Sequence, residues 1–354
     1  MSSRQSSPRG RKPGSAFPSN TKPTTNTTTT KSTRTKNTRT KNTRTYSRNF
    51  QQNLVDGGVY PHAYRYPDGR VPAKPNNWEE INKRLSQPRP SLSPSKFSEE
   101  AYEKFVQADA GAFKDKQVTT SVIPIIEGEV RDAKCVSGGI LFNNLDHLTD
   151  GTLAPGDPDL YYGARPEQLD RRVRDELNGH IIPSTQDDLP IAPNFFLAVK
   201  GPDGTAAVAR RQACYHGALG ARGIHSLQSY KQDDPVYSNN AYIITSIYND
   251  GTLKMYTSHP IQPDSPGSRP EYYMNQLKAW AMTSDLETFR HGATAFRNAR
   301  DWTKEKRDES INAANAKRAN DSQIETPATN ILRFGLVSNS ASEALLNEPS
   351  TLES

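Results

Sequence analysis

The first fifty residues hold twelve Lys or Arg and not one Asp or Glu. Such a stretch has too few apolar side chains to offset the entropy lost on ordering, so it is expected to stay outside any core. The pentad Thr-Arg-Thr-Lys-Asn occurs twice in tandem, at 33–37 and 38–42, and Thr-Arg-Thr follows at once. This segment reads as a solvated tail, as a nuclear-localisation signal or as an arm that contacts DNA or RNA phosphates through residues 1–50. A mitochondrial transit peptide would need an apolar face that the stretch lacks. The whole chain carries +6, so residues 51–354 carry −6. The basic character belongs to the tail, and the remainder has no overall field that attracts nucleic acid.

Composition narrows the setting. Of 354 residues only 33% are apolar and 26 are Pro, so part of the length is expected to lie outside a packed core. No run of eighteen apolar residues and no apolar signal core is visible, so an intracellular protein is expected, nuclear or cytoplasmic, neither secreted nor in a membrane. Cys135 and Cys214 make neither a disulfide framework nor a zinc site and read as buried reduced thiols.

Three regions follow from the patterning. Residues 1–94 read as a disordered tail and Pro-rich linker, 95–320 as one α/β domain with a long C-terminal helix, and 321–354 as a second tail. Within the domain, Ser98 is a good N-cap with Glu99 and Glu100 in the first turn, which predicts a helix to Phe113. Val118 to Glu127 predicts a strand that Pro124 confines to an edge. Arg165 to Gly179 predicts a helix with Leu169, Val173 and Leu177 on one face. Asn194 to Lys200 is an apolar run that predicts a buried strand, and Ala206 to Gly220 a small-residue helix. Tyr242–Tyr248 and Thr252–Thr257, joined by Asn249-Asp250-Gly251, form the strongest hairpin signal. Leu277 to Met282 predicts a short helix, and Asp285 to about Arg318 a long one.

The order helix, strand, Pro158-Asp159 strand, apolar strand ending in Lys200, then helix resembles the PD-(D/E)XK nuclease superfamily, whose core is an αβββαβ sandwich. The resemblance implies a restriction-endonuclease-like fold with a mixed central sheet flanked by helices. Pro158-Asp159 matches the first motif element and Ala198-Val199-Lys200 the second. Gln212-Ala-Cys-Tyr215 is similar to the Gln-x-x-x-Tyr helix motif, with one residue fewer. An active site of this kind would hold Mg²⁺ with Asp159, the Val199 carbonyl and a further acid. Lys200 would activate water, and Gln212 and Tyr215 would position substrate for phosphodiester cleavage.

The departure lies at position 198, where the family has an acid and this chain has Ala198. Glu127, Glu129, Glu100, Glu103 and Asp170 are the candidate replacements. Each matched residue also has a plain structural role. Asp159 suits a turn, Lys200 could lean into solvent from a strand end, Gln212 could bond backbone, and Tyr215 could be core. The alternative to a nuclease is therefore a catalytically dead scaffold, either nucleic-acid-associated or a protein-interaction module.

Phrases such as Gly-Ala-Arg-Pro-Glu-Gln-Leu-Asp (163–170), Ala-Pro-Asn-Phe-Phe-Leu (192–197), Arg-Gln-Ala-Cys-Tyr (211–215) and Gly-Ala-Leu-Gly-Ala-Arg-Gly (217–223) also resemble a domain family abundant in filamentous fungi. That likeness runs from about 97 to 305 and implies a fungal protein without implying an activity. The family's usual residue at 216 is Asp, where this chain has His216. Other chemistries are disfavoured. The seven His residues lack zinc-protease spacing, and Cys214 and His216 are badly angled for a nucleophile pair on a helix.

Overall fold

The computed structural model describes residues 43–263, 265 and 268–324, with backbone alone for 322–324. The two complete Thr-Arg-Thr-Lys-Asn repeats and the segment 325–354 lie outside the described residues. In chain order the elements are α1 (Asn49–Asp56), β1 (Val59–Tyr60), α2 (Trp78–Leu85), α3 (Glu99–Ala110), α4 (Asp115–Gln117), α5 (Ile123–Glu127), β2 (Val136–Ser137), β3 (Leu160–Ala164), α6 (Arg171–Glu176), α7 (Asn178–Ile181), β4 (Ile191–Lys200), α8 (Ala206–Gln228), β5 (Ile243–Asn249), β6 (Thr252–Ile261), β7 (Glu271–Ala281) and α9 (Leu286–Ile324). Among these, no helix is long and apolar enough to cross a membrane.

The strands form one mixed sheet in the order β1-β7-β6-β5-β4-β3-β2. β4 and β5 run parallel, as do β1 and β7, and the other neighbours are antiparallel. All ten residues of β4 are buried, because helices cover both faces of the sheet at its centre. Phe196 and Ala198 face a core built on α8, whereas Phe195, Leu197 and Val199 face one built on α3, α5 and the first half of α9. The small residues of α8 let it lie close against the strands. A Cβ on Gly217 would stand 2.4 Å from Ser258 Oγ, and one on Gly220 would stand 2.8 Å from the Phe196 ring. α8 is also the crossover that makes β4 and β5 parallel.

Several expectations need correction. Residues 43–94 are not a linker. Phe50 and Leu54 of α1, Val59 of β1, and Ile81 and Leu85 of α2 are all buried in the core. The segment 115–127 is helical, through α4, a five-residue π turn at 118–122 and α5. Pro124 opens α5 where its missing N–H is harmless, and Val122, Ile123 and Ile126 share a buried face. Residues 165–181 form a 3₁₀ turn followed by α6 and α7 rather than one helix. Residues 277–281 close the long strand β7, whose antiparallel pairing with β6 overrides the local helical pattern. Cys214 is buried, but Cys135 is only partly so.

The helix beginning at Ser98 is capped as expected, the Ser98 hydroxyl accepting the Ala101 N–H. The hairpin also stands. Asp250 and Gly251 both take positive φ, 49° and 65°, the combination that joins twisted antiparallel strands tightly.

Candidate active site at the carboxyl end of β4

β4 and β5 end together, with Lys200 opposite Asn249. β3 runs against β4 with Leu160 opposite Leu197, which puts Asp159, one residue before β3, opposite Ala198. Asp159 and Lys200 therefore meet at the same end of the sheet. The Asp159 Oδ2 atom accepts the Val199 N–H at 2.8 Å and lies 3.7 Å from Lys200 Nζ.

A second carboxylate completes the cluster. Lys200 Nζ donates to Asp115 Oδ2 at 3.0 Å and to the Val199 carbonyl at 2.6 Å. The other oxygen of Asp115 accepts the Gly201 N–H at 2.7 Å. Asp115 opens α4, and two glycines admit it to this place. A Cβ on Gly201 would stand 3.0 Å from the Lys114 backbone, and one on Gly204 would stand 2.7 Å from the Lys200 Cβ. The Gly201-Pro-Asp-Gly204 turn thus brings in the Lys114–Asp115 segment and leaves room for the lysine stem.

Burial is graded across the cluster. The Lys200 side chain is 3% exposed, Asp159 26% and Asp115 41%, so solvent reaches the site from the Asp115 side. Burial pushes the Asp159 carboxyl above its ordinary range, and the Asp115 and Asp157 charges push it further. The Lys200 ammonium and the Val199 amide pull it part of the way back.

The remaining motif residues sit apart from this centre. Gln212 lies one turn before His216 on α8, and its Oε1 is buried without a hydrogen-bond partner among the described residues. Tyr215 is core. Its ring meets Phe50 of α1 edge-on at 5.6 Å. The His216 Nε2 accepts the Asp157 N–H at 3.1 Å and so anchors the loop that leads into Asp159. Burial, reinforced by the Lys200 charge, drives the His216 pKa down to about 3.

The proposed substitutes for an acid at 198 lie elsewhere. Glu127 accepts the Tyr162 hydroxyl, Glu100 pairs with Lys104, Asp170 caps α6, and Glu103 and Glu129 are exposed. Asp115 carried no motif signal. It falls between an expected helix end and an expected strand, and only the tertiary fold brings it to Lys200.

Among the described residues no group of three or more His, Cys, Asp and Glu is placed to hold a metal ion. The cluster does gather two carboxylates and one carbonyl around Lys200 Nζ, all of them hard oxygen donors. Mg²⁺ is commonly held by one or two carboxylates together with water and substrate phosphate, so this donor set suits it. Comparison with protein-family models, curated proteins and solved structures gives no match.

Proposed function

We propose that the domain is a rewired PD-(D/E)XK-like nuclease of an intracellular protein, in which Asp115 stands in for the acid missing at Ala198. The observation that carries this reading is the convergence of Asp115 and Asp159 on Lys200 at the carboxyl end of β4. The order α5, β2, β3, β4, α8, β5, with the short helices α6 and α7 inserted between β3 and β4, supports it, since apart from that insertion it follows an αβββαβ order with β4 and β5 parallel.

Asp159, Asp115 and the Val199 carbonyl would hold Mg²⁺, which when bound supplies Lewis-acid polarisation of the scissile phosphate. Lys200 is fixed by its bonds to Asp115 and Val199 beside Asp159, and from there it would orient the attacking water. Gln212, its Oε1 buried within α8 and apart from the cluster, makes no substrate contact in this reading. Tyr215 serves by fastening α8 to α1.

One observation favours a second reading, a scaffold without catalysis. The Lys200 ammonium already stands among the oxygens that a metal would use. Calorimetric titration of the full chain with Mg²⁺ and Mn²⁺, alongside Asp115→Asn and Asp159→Asn, separates the two. Binding lost in both variants, with cleavage of DNA or RNA by the parent protein, is expected. No binding and no cleavage by the parent protein leaves the scaffold.

A further inference from the structure

A cavity of about 130 Å³ opens beside this cluster, between the first turns of α8 and the β5–β6 hairpin. Its walls include Arg210, Asn249, Thr252 and Lys254, with Asp250 at the turn. Arg210 is exposed and Lys254 half-buried, and neither is in an ion pair among the described residues. The cavity continues the line of the site, because Lys200 is registered with Asn249 and Asn249 with Thr252. At about 4.8 Å per strand, β6 lies roughly 10 Å from β4, a span comparable to one or two nucleotide steps. On the far side of the cluster Lys114 and Lys116 flank Asp115, both exposed and without an ion pair among the described residues.

We infer that a nucleic-acid strand crosses this end of the sheet, its backbone phosphates seated by Arg210 and Lys254 on one side and by Lys114 and Lys116 on the other. The inference rests on the nuclease reading for its substrate class, and it assigns the groove that reading leaves open. Residues 51–354 carry −6, and Asp157 and Asp250 also stand beside the acidic pair, so these cations are a local arrangement rather than a general field. Each cation that contacts a phosphate releases counterions, which makes the binding strength salt-dependent.

The test is fluorescence anisotropy of a labelled DNA oligonucleotide with the full chain in EDTA, where no metal-dependent cleavage intervenes. Arg210→Glu/Lys254→Glu is compared with the parent protein over a salt series. The double variant is expected to bind at least tenfold more weakly, with the log–log salt slope reduced by about two. Unchanged affinity and slope in the double variant would overturn the groove, whatever the cleavage assay gives. Weakened binding with no Mg²⁺-dependent cleavage by the parent keeps the groove and removes the catalytic reading instead. Arg210→Gln/Lys254→Gln repeats the comparison if the charge reversal lowers the melting temperature.

Discussion

The Asp115 carboxylate meets the Lys200 ammonium at 3.0 Å across 85 residues of sequence, and its second oxygen holds the next amide, Gly201, at 2.7 Å. One side chain thus fixes both the charge of the lysine and the backbone that follows it. Asp115→Asn keeps the shape and removes the charge. Breaking a fully buried pair costs about 3–5 kcal/mol, and the partial exposure of Asp115 brings the expected loss nearer 1–2 kcal/mol. Thermal melting should show a drop of a few degrees, and calorimetry the loss of Mg²⁺ binding. An unchanged melting temperature would mean that the pair does not form in solution.

Gly201→Ala probes the same contact from the backbone side. The added methyl would press on the Lys114 main chain, which cannot rotate away as a side chain would. A destabilisation of about 1–3 kcal/mol is expected from overpacking. Any cleavage activity should fall with it, since Asp115 is pushed outward. Stability and activity that both match the parent would show that the turn has slack.

Acid should weaken the fold through two buried histidines. Burial depresses His216 to about 3 and His259 to about 4, both below the ordinary value near 6.5. The unfolded chain therefore binds more protons below pH 6.5, and the stability these groups contribute above that pH is lost as it falls toward their folded values. At pH 5 the loss is about 2 kcal/mol for each. Asp159, raised by burial, works in the opposite sense, its contribution being complete at low pH and lost as pH rises through its folded value. Urea midpoints at pH 7.5, 6 and 5 should decline, and His216→Asn should flatten the decline. A midpoint independent of pH would contradict the burial of both rings.

Removing residues 1–94 should abolish folding of the rest. Phe50, Leu54, Val59, Ile81, Leu85 and Leu92 are buried and would leave both cores open. The milder Phe50→Ala should cost about 3–5 kcal/mol and unpack Tyr215 from α1. Circular dichroism melting of the two proteins decides it, and a truncated chain that melts like the parent would restore a boundary near residue 95.

The local signals that were strong in the sequence are those the fold keeps. Ser98 before two acids gives a capped helix, Asn249-Asp250-Gly251 gives the hairpin, and the apolar run ending in Lys200 gives the central strand. The meeting of Asp159 with Lys200 was expected only from the motif resemblance, and the antiparallel pairing of β3 with β4 is what brings them together. Val118 to Glu127 misled because a β-branched run reads as a strand until its neighbours are known, and α5 packs beneath Arg297, which donates to the Ile125 and Ile126 carbonyls. Leu277 to Ala281 misled in the opposite direction, since its strand state comes from β6. Asp115 was invisible because no local spacing relates it to Lys200.

Both rims of the seven-stranded sheet are two-residue strands, β1 at one side and β2 at the other. β1 pairs only with Tyr272 and Tyr273, so residues 274–281 of the long strand β7 have no strand on their outer side among the described residues. The long, apolar β4 that would be most prone to amyloid-like stacking is held in the middle. Growth of the sheet by strand addition thus falls to the second half of β7, where the exposed Lys278 is the kind of charge that discourages it.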